Sequence, residues 1–346
     1  MARRRLAARA MLAGAVVALV YFGLLPRLVD VAEVGATLRA MTWLELLTLL
    51  GAAAWNLASY LLPQLAALPG LTPRQAVIES HASTAVGNLL PAGQAAGLGV
   101  TYRLYSSFGF GRSAIALSLL VQGVWNNFLK LGMPVVALGL LVLSGRAAGV
   151  LGPVAVVGVA LFALALAGFA LALSGERRAA RLGGACAAVV TLPWRLAGRE
   201  RRAPAWGDAA VRFRARAVSL LRRRWHWLSL TTVVSHVSLF LVLLLALRHV
   251  GVPESAVSWV EALAAFALVR LLSAFPVTPG GLGVVELGLA AALVLAGGDD
   301  ARVVAAVLVF RVLTFLLPLP IGAVTYLLWR RGQRRQAAAR AAGIGG

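Results

Sequence analysis

Phe275-Pro276-Val277-Thr278-Pro279-Gly280-Gly281-Leu282-Gly283-Val284-Val285-Glu286 lies inside apolar sequence, yet it carries two prolines and three glycines and ends on a carboxylate. Proline lacks the N–H a helix needs and clashes with the turn before it, and glycine weakens helical order, so no continuous helix runs through. Non-helical backbone at membrane depth survives only where protein buries it or a wet cavity borders it, because lipid offers its amides no partner. The stretch is therefore a candidate site. A break of this kind leaves backbone N–H groups at the start of the next helix, which suits a phosphate or carboxylate, with Gly280, Gly281 and Gly283 as the donors. The plain alternative is a helix-to-helix turn near the surface.

Working outward, composition sets the frame: 60% of the 346 residues are hydrophobic and the mean hydropathy is +0.86. A soluble domain is only about half apolar, so this is an integral membrane protein. The net charge of +21 is concentrated at the N-terminus, in residues 176–224 and in the tail. That distribution is the positive-inside pattern, and it implies contact with anionic inner-leaflet lipids rather than nucleic acid. The single Cys186 excludes an internal disulfide and a cysteine metal cluster.

Apolar stretches of spanning length, about 20 residues, fall near 10–29, 42–62, 113–143, 149–174, 227–249 and 301–329. Two more, 75–107 and 256–297, are apolar but broken. The run 113–143 contains Gly132-Met133-Pro134 and reads as one kinked span or as a span with an extra half-helix. Residues 176–224 hold thirteen arginines against Glu176, Glu200 and Asp208 and read as an amphipathic cytoplasmic segment. They separate a first membrane half, 1–175, from a second, 225–330, and a basic tail follows at 331–346. Charge parity makes 75–107 a re-entrant hairpin open to the cytoplasm and 256–297 one open to the outside, or two crossings. Two broken hairpins of opposite orientation are the layout of an inverted repeat. Both termini are then cytoplasmic.

Ionisable residues away from span ends cost about 2.5–3.5 kcal/mol each to insert and are functional candidates by default. Here they are Glu79, Arg103, Lys130, Glu261, Arg270, Glu286 and Arg311. Glu79 and Arg103 are equidistant from Pro91, and Arg270 and Glu286 are equidistant from Thr278. Equal distance from an apex means similar depth, so each hairpin is expected to pair an acid with a base that opens to a charged substrate. Purely structural ion pairs, or side chains that snorkel to an interface, are the alternative. Gln122, Asn126 and Lys130 repeat every four residues and so share a helical face, which should look into a cavity. Four cations against three anions favour an anionic group such as phosphate.

Enzyme motifs are sparse. The four histidines show no metal-ligand spacing, and no nucleophile elbow or phosphate-binding loop occurs. Glu79, Ser80 and His81 are adjacent and point in different directions on a helix. Asp299-Asp300 reads as a solvated turn. The expectation is a transporter with no metal and no cofactor.

The stretch from Pro276 to Glu286, followed by Arg311 in an apolar helix with Pro318 and Gly322 after it, resembles the lysylphosphatidylglycerol synthase transmembrane region, a flippase-like membrane family. The first-half counterpart is Ser83 to Pro91, with Asn88 inside it and Tyr102-Arg103 downstream. The chain departs from the family at Pro91-Ala92-Gly93-Gln94-Ala95-Ala96-Gly97, where relatives usually carry an arginine and a glutamate. The resemblance implies a lipid flippase or a transporter of lipid-linked substrates. Bifunctional relatives carry a soluble aminoacyl-transferase domain after the membrane part, and this sequence ends instead in a short basic tail, so no synthase activity is expected.

The reading is an all-α inner-membrane bundle of about six spans and two re-entrant hairpins that moves an anionic or zwitterionic lipid. Arg103, Lys130, Arg270 and Arg311 would contact phosphate, with Asn88 and Asn126 beside them. Glu79 and Glu286 would switch, and Pro91, Pro276 and Pro279 would make the breaks. A secondary transporter of a small solute is one alternative. The other is a non-catalytic partner of a lipid-modifying or glycosyl-transferring enzyme, docked through 176–224. The sequence leaves room for a homo-oligomer.

Overall fold

A computed structural model of the chain describes residues 36, 39–89, 93–145, 151–181, 184–185, 206–273 and 278–341, and it contains no strand among them. The helices are α1 (Trp43–Ser59), α2 (Leu61–Ala67), α3 (Pro73–Leu89), α4 (Gly93–Ser107), α5 (Arg112–Leu143), α6 (Leu151–Leu173), α7 (Trp206–His249) and α8 (Trp259–Leu272). After them come a 3₁₀ turn (Pro279–Gly281), α9 (Val284–Leu295), α10 (Asp300–Arg311), a π turn (Val312–Leu316) and α11 (Pro318–Ala341).

Among the described residues, five stretches are long and apolar enough to cross a membrane: Trp43–Ala67, Arg112–Leu143, Val156–Leu173, Ala210–His249 and Asp300–Gln333. They coincide with five of the six expected spans. The sixth, 10–29, lies outside the described residues, as do Pro91 and Pro276. The ambiguous run 113–143 is one helix carrying Pro134 internally. Pro134 has no N–H to give the Lys130 carbonyl one turn earlier, so that turn is weakened beside the lysine. The end of the basic segment and the span after it share one helix. Trp206–His249 is one helix of 44 residues, about 66 Å long at 1.5 Å per residue, so its arginine-bearing first half runs on into the span.

Local chemistry explains several helix starts. Thr42 accepts from the Glu45 N–H while Glu45 Oε2 accepts from the Thr42 N–H at 2.7 Å. Ser258 and Glu261 close the same reciprocal box at α8. Glu261 is thereby a helix cap and not a buried site charge, which corrects its place among the candidates.

The broken regions are both helical hairpins. Arms α3 and α4 have 17 and 15 residues, and α8 and α9 have 14 and 12, all short of the about 20 a span needs. Within each pair the arms pack on one another, and α3 is also packed extensively by α11. Small residues permit this. A Cβ on Gly97 would stand 3.1 Å from the Ser83 carbonyl oxygen, and one on Gly322 would stand 2.5 Å from Ala85 Cβ. Close backbone approach through small residues is how helices associate in lipid, where apolar burial gives no preference.

The main core joins α1, α5 and α7 to α10, with Phe240, Phe266 and Phe310 stacked at centroid separations of 5.6 and 6.5 Å. Helix α6 is peripheral: no residue of 156–173 is buried. It leans on α5 through Phe162 and Phe169 against Phe128 and Trp125. The last long helix is widened where Leu317 N–H donates to the Val312 carbonyl at 2.8 Å. Pro318 follows directly, and its ring would clash with the carbonyl four residues back in a regular helix. The wider turn relieves that clash and places Phe315 under Arg311, with the guanidinium carbon 4.4 Å from the ring centroid.

Candidate functional site

Between the two hairpins lie two adjoining cavities of about 360 and 580 Å³. Their shared wall is Tyr60, Thr84, Gly87, Lys130, Leu239 and Arg270. The smaller is bordered by the second hairpin and its 3₁₀ turn, with Gly280, Gly281, Asn88 and Arg311 in its lining. The larger is bordered by the first hairpin and by α5 and α7, with Glu79, Gln122, Asn126 and His236 in its lining. The polar stripe Gln122, Asn126, Lys130 thus looks into a cavity, as its spacing of four predicts.

The smaller cavity is built around a latch. Arg311, at the end of α10, donates through Nε to Glu286 Oε1 at 2.8 Å and through Nη2 to the Gly280 carbonyl at 3.2 Å. Glu286 accepts the Gly283 N–H on its other oxygen at 2.8 Å. The residue is 2% exposed, and both of its oxygens are engaged, which is what a buried charge requires. The ion pair of Glu286 is with Arg311, not with Arg270 as matched depth predicts. The reason is local: the Gly283 cap turns the carboxylate back over the 3₁₀ turn, towards α10 and away from α8.

That turn also differs from the expected anion cradle. Gly281 N–H donates to the Thr278 carbonyl at 3.2 Å and Gly283 N–H to Glu286, so both donors are spent internally. Gly280 contributes its carbonyl to Arg311. It has φ +59°, and a side-chain carbon there would enter the Phe315 ring. Gly280→Ala is expected to destabilise by about 1–3 kcal/mol through overpacking and left-handed strain, read as a lower midpoint of thermal unfolding in detergent. An unchanged midpoint would mean that Phe315 is not held against the turn.

Lys130 and Arg270 are arranged differently. Lys130 is 7% exposed and has no hydrogen bond or ion pair among the described residues. The Arg270 Nε is buried without a partner among them. Both side chains border both cavities. Two cations thus face one polar space with no carboxylate paired to them among the described residues, whereas Arg311 is neutralised by Glu286.

In the first hairpin Glu79 is 3% exposed. Its Oε1 accepts from the Thr101 hydroxyl at 2.5 Å and its Oε2 from the Tyr105 hydroxyl at 3.4 Å. Arg103 is not its partner. Thr101 and Tyr105 are one turn apart on the inner face of α4, and Arg103, about 200° round from Thr101 at 100° per residue, is exposed. It borders neither cavity. Thr101, Tyr105, Tyr60 and His236 are site residues that charge counting missed. The four-residue spacing of Thr101 and Tyr105 on the arm opposite Glu79 was the available signal.

Charged and polar groups gathered between two broken hairpins form a site that both halves of the chain build. The family model of the lysylphosphatidylglycerol synthase TM region matches residues 11–322, which include both hairpins and the basic segment between them. The chain belongs to this family. The lysylphosphatidylglycerol synthase TM region is a membrane family associated with lipid modification or translocation. No curated protein matches the chain.

Proposed function

We propose that the protein moves a lipid with an anionic or zwitterionic headgroup between leaflets of the inner membrane, acting as a transporter and not as an enzyme. The two short-armed hairpins would be re-entrant and meet near the midplane, with both termini cytoplasmic. The observation that carries this reading is the pair Lys130 and Arg270, two cations bordering a shared polar space without a counterion among the described residues. Unpaired buried charge is costly, so the space favours a ligand that brings negative charge. A headgroup phosphate does so while its acyl chains remain in lipid. Asn88 and Asn126 add neutral hydrogen-bonding groups, and the Arg311–Glu286 latch holds the turn that forms one wall.

The test is leaflet translocation by purified protein in liposomes containing headgroup-labelled phospholipids. Wild type is expected to move label. Lys130→Gln and Arg270→Gln are each expected to slow it at least about tenfold, since a charge-assisted hydrogen bond is worth about 1.5–3 kcal/mol. No movement of any anionic or zwitterionic lipid by wild type would overturn the proposal.

A further inference from the structure

We propose that Glu79 is a proton-binding site coupled to headgroup binding, so that an anionic headgroup reaching Lys130 and Arg270 drives a proton onto Glu79. The inference rests on the headgroup reading above and names its coupling ion.

The first observation is a contrast between two buried carboxylates. Glu286 has an arginine at 2.8 Å. Glu79 is as deeply buried but has no cation within ion-pair distance among the described residues, only hydroxyl groups: Thr101 and Tyr105 donate to it, and the Ser83 hydroxyl one turn along α3 also favours the carboxylate. A carboxylate in that setting is much cheaper to bury as the neutral acid than as the ion.

The second is the geometry of Thr101. Its hydroxyl oxygen lies 2.5 Å from Glu79 Oε1 and 3.1 Å from the Gly97 carbonyl, and a hydroxyl has one proton to give. With Glu79 ionised, Thr101 donates to the carboxylate. With Glu79 protonated, the acid donates to the Thr101 oxygen and the threonine proton turns to Gly97. Both protonation states are therefore fully hydrogen-bonded with no movement of heavy atoms.

The third is the shared cavity. Glu79 lines the same space as Lys130 and Arg270. Without ligand, the positive charge of Lys130 and Arg270 across the cavity partly compensates the Glu79 carboxylate from beyond ion-pair distance. When an anionic headgroup takes up the two cations, that compensation is spent, two negative groups share one low-dielectric space, and the carboxylate gains a proton. Binding and protonation are then linked reciprocally.

Other titratable groups frame the prediction. Tyr105 of α4 donates to Glu79, and His81 is on α3 itself. Lys130, His236, Arg270 and Tyr60 border the cavity from α5, α7, α8 and the α1–α2 junction. Arg103 of α4, and Tyr326, Arg330 and Arg331 of α11, do not border it. Neither α2 nor the 3₁₀ turn carries a titratable side chain. His236 is the rival proton acceptor: its Nδ1 lies 3.1 Å from the Thr232 carbonyl, which fixes the proton there, and its Nε2 is buried without a partner among the described residues. A proton on Nε2 would add a third positive charge beside Lys130 and Arg270.

The test is calorimetric titration of the full chain in detergent with dihexanoyl phosphatidylglycerol, in buffers of different ionisation enthalpy, which counts protons exchanged on binding. Wild type is expected to take up close to one proton per lipid. Because binding takes up a proton, affinity should fall as pH rises, by about tenfold per pH unit where Glu79 is ionised in the free protein. Glu79→Gln is expected to bind with no uptake and no pH slope, and His236→Gln to keep both. Should Glu79→Gln fail to fold, infrared difference spectra of wild type decide: a protonated-carboxyl band that grows on adding lipid supports the coupling, and its absence overturns it. Binding without uptake, or uptake retained in Glu79→Gln, overturns the coupling and leaves the headgroup reading standing. No binding overturns both.

Discussion

Glu286→Ala is expected to cost about 3–5 kcal/mol of stability, because it leaves the Arg311 guanidinium buried without its counterion. Arg311→Ala should cost a similar amount for the mirror reason, and it also strands the Gly280 carbonyl. The double replacement Glu286→Leu with Arg311→Met should be far milder than the sum, since a buried pair exchanged for apolar groups of similar volume is often neutral. Equilibrium unfolding in mixed detergents measures all three. If the single and double costs simply add, the pair is not coupled and the latch is wrongly drawn. Stability and transport should also part company here. The apolar pair can restore the fold, but nothing then ties α10 to the 3₁₀ turn, so a cavity wall loosens and translocation should stay low. This separates the structural charge pair from Lys130 and Arg270, whose replacement should spare stability and remove activity.

How much of this was legible beforehand depends on what sets each feature. Five of the spans were readable because about twenty apolar residues in a row suit a membrane crossing, and the helical hairpins because proline- and glycine-rich stretches disfavour continuous helix. The stripe Gln122, Asn126, Lys130 was readable because it lies on one helix whose face the 3.6-residue period defines. Partner choice was not readable. Matched distance from an apex fixes depth but not azimuth, and azimuth excludes Arg103: it sits between Thr101 and Tyr105 in sequence and faces away from Glu79. For Arg270 and Glu286 the deciding contact came from a third helix, α10, which no count within the hairpin contains. The π turn was not anticipated, although Pro318 disfavours a regular helix there, and its effect, swinging Phe315 under Arg311, is a tertiary matter. That the basic segment runs into the following span as one helix was not legible, because a change from arginine-rich to apolar composition does not say whether the helix continues.

Gly93→Ala is expected to open the first hairpin. A Cβ there would penetrate the Gly87 carbonyl oxygen of the facing arm, and since the struck atom is backbone, no rotamer change relieves it. The helices must separate, at a cost of about 3 kcal/mol, the upper end of ordinary overpacking. Gly99→Ala is the matched control: it lies on the same helix, with nothing within 4 Å of an added Cβ, and should be neutral or stabilising by up to about 1 kcal/mol through helix propensity. The consequence reaches the site, because α3 carries Glu79 and α4 carries the Thr101 and Tyr105 that clasp it. A shift that lengthens the 2.5 Å bond removes the donor that holds the carboxylate, so Gly93→Ala should also lose the proton uptake that Gly99→Ala retains. Equal stability of the two variants would show that α3 and α4 do not meet at the glycines, and the site would lose the contact that brings its acid to its hydroxyls.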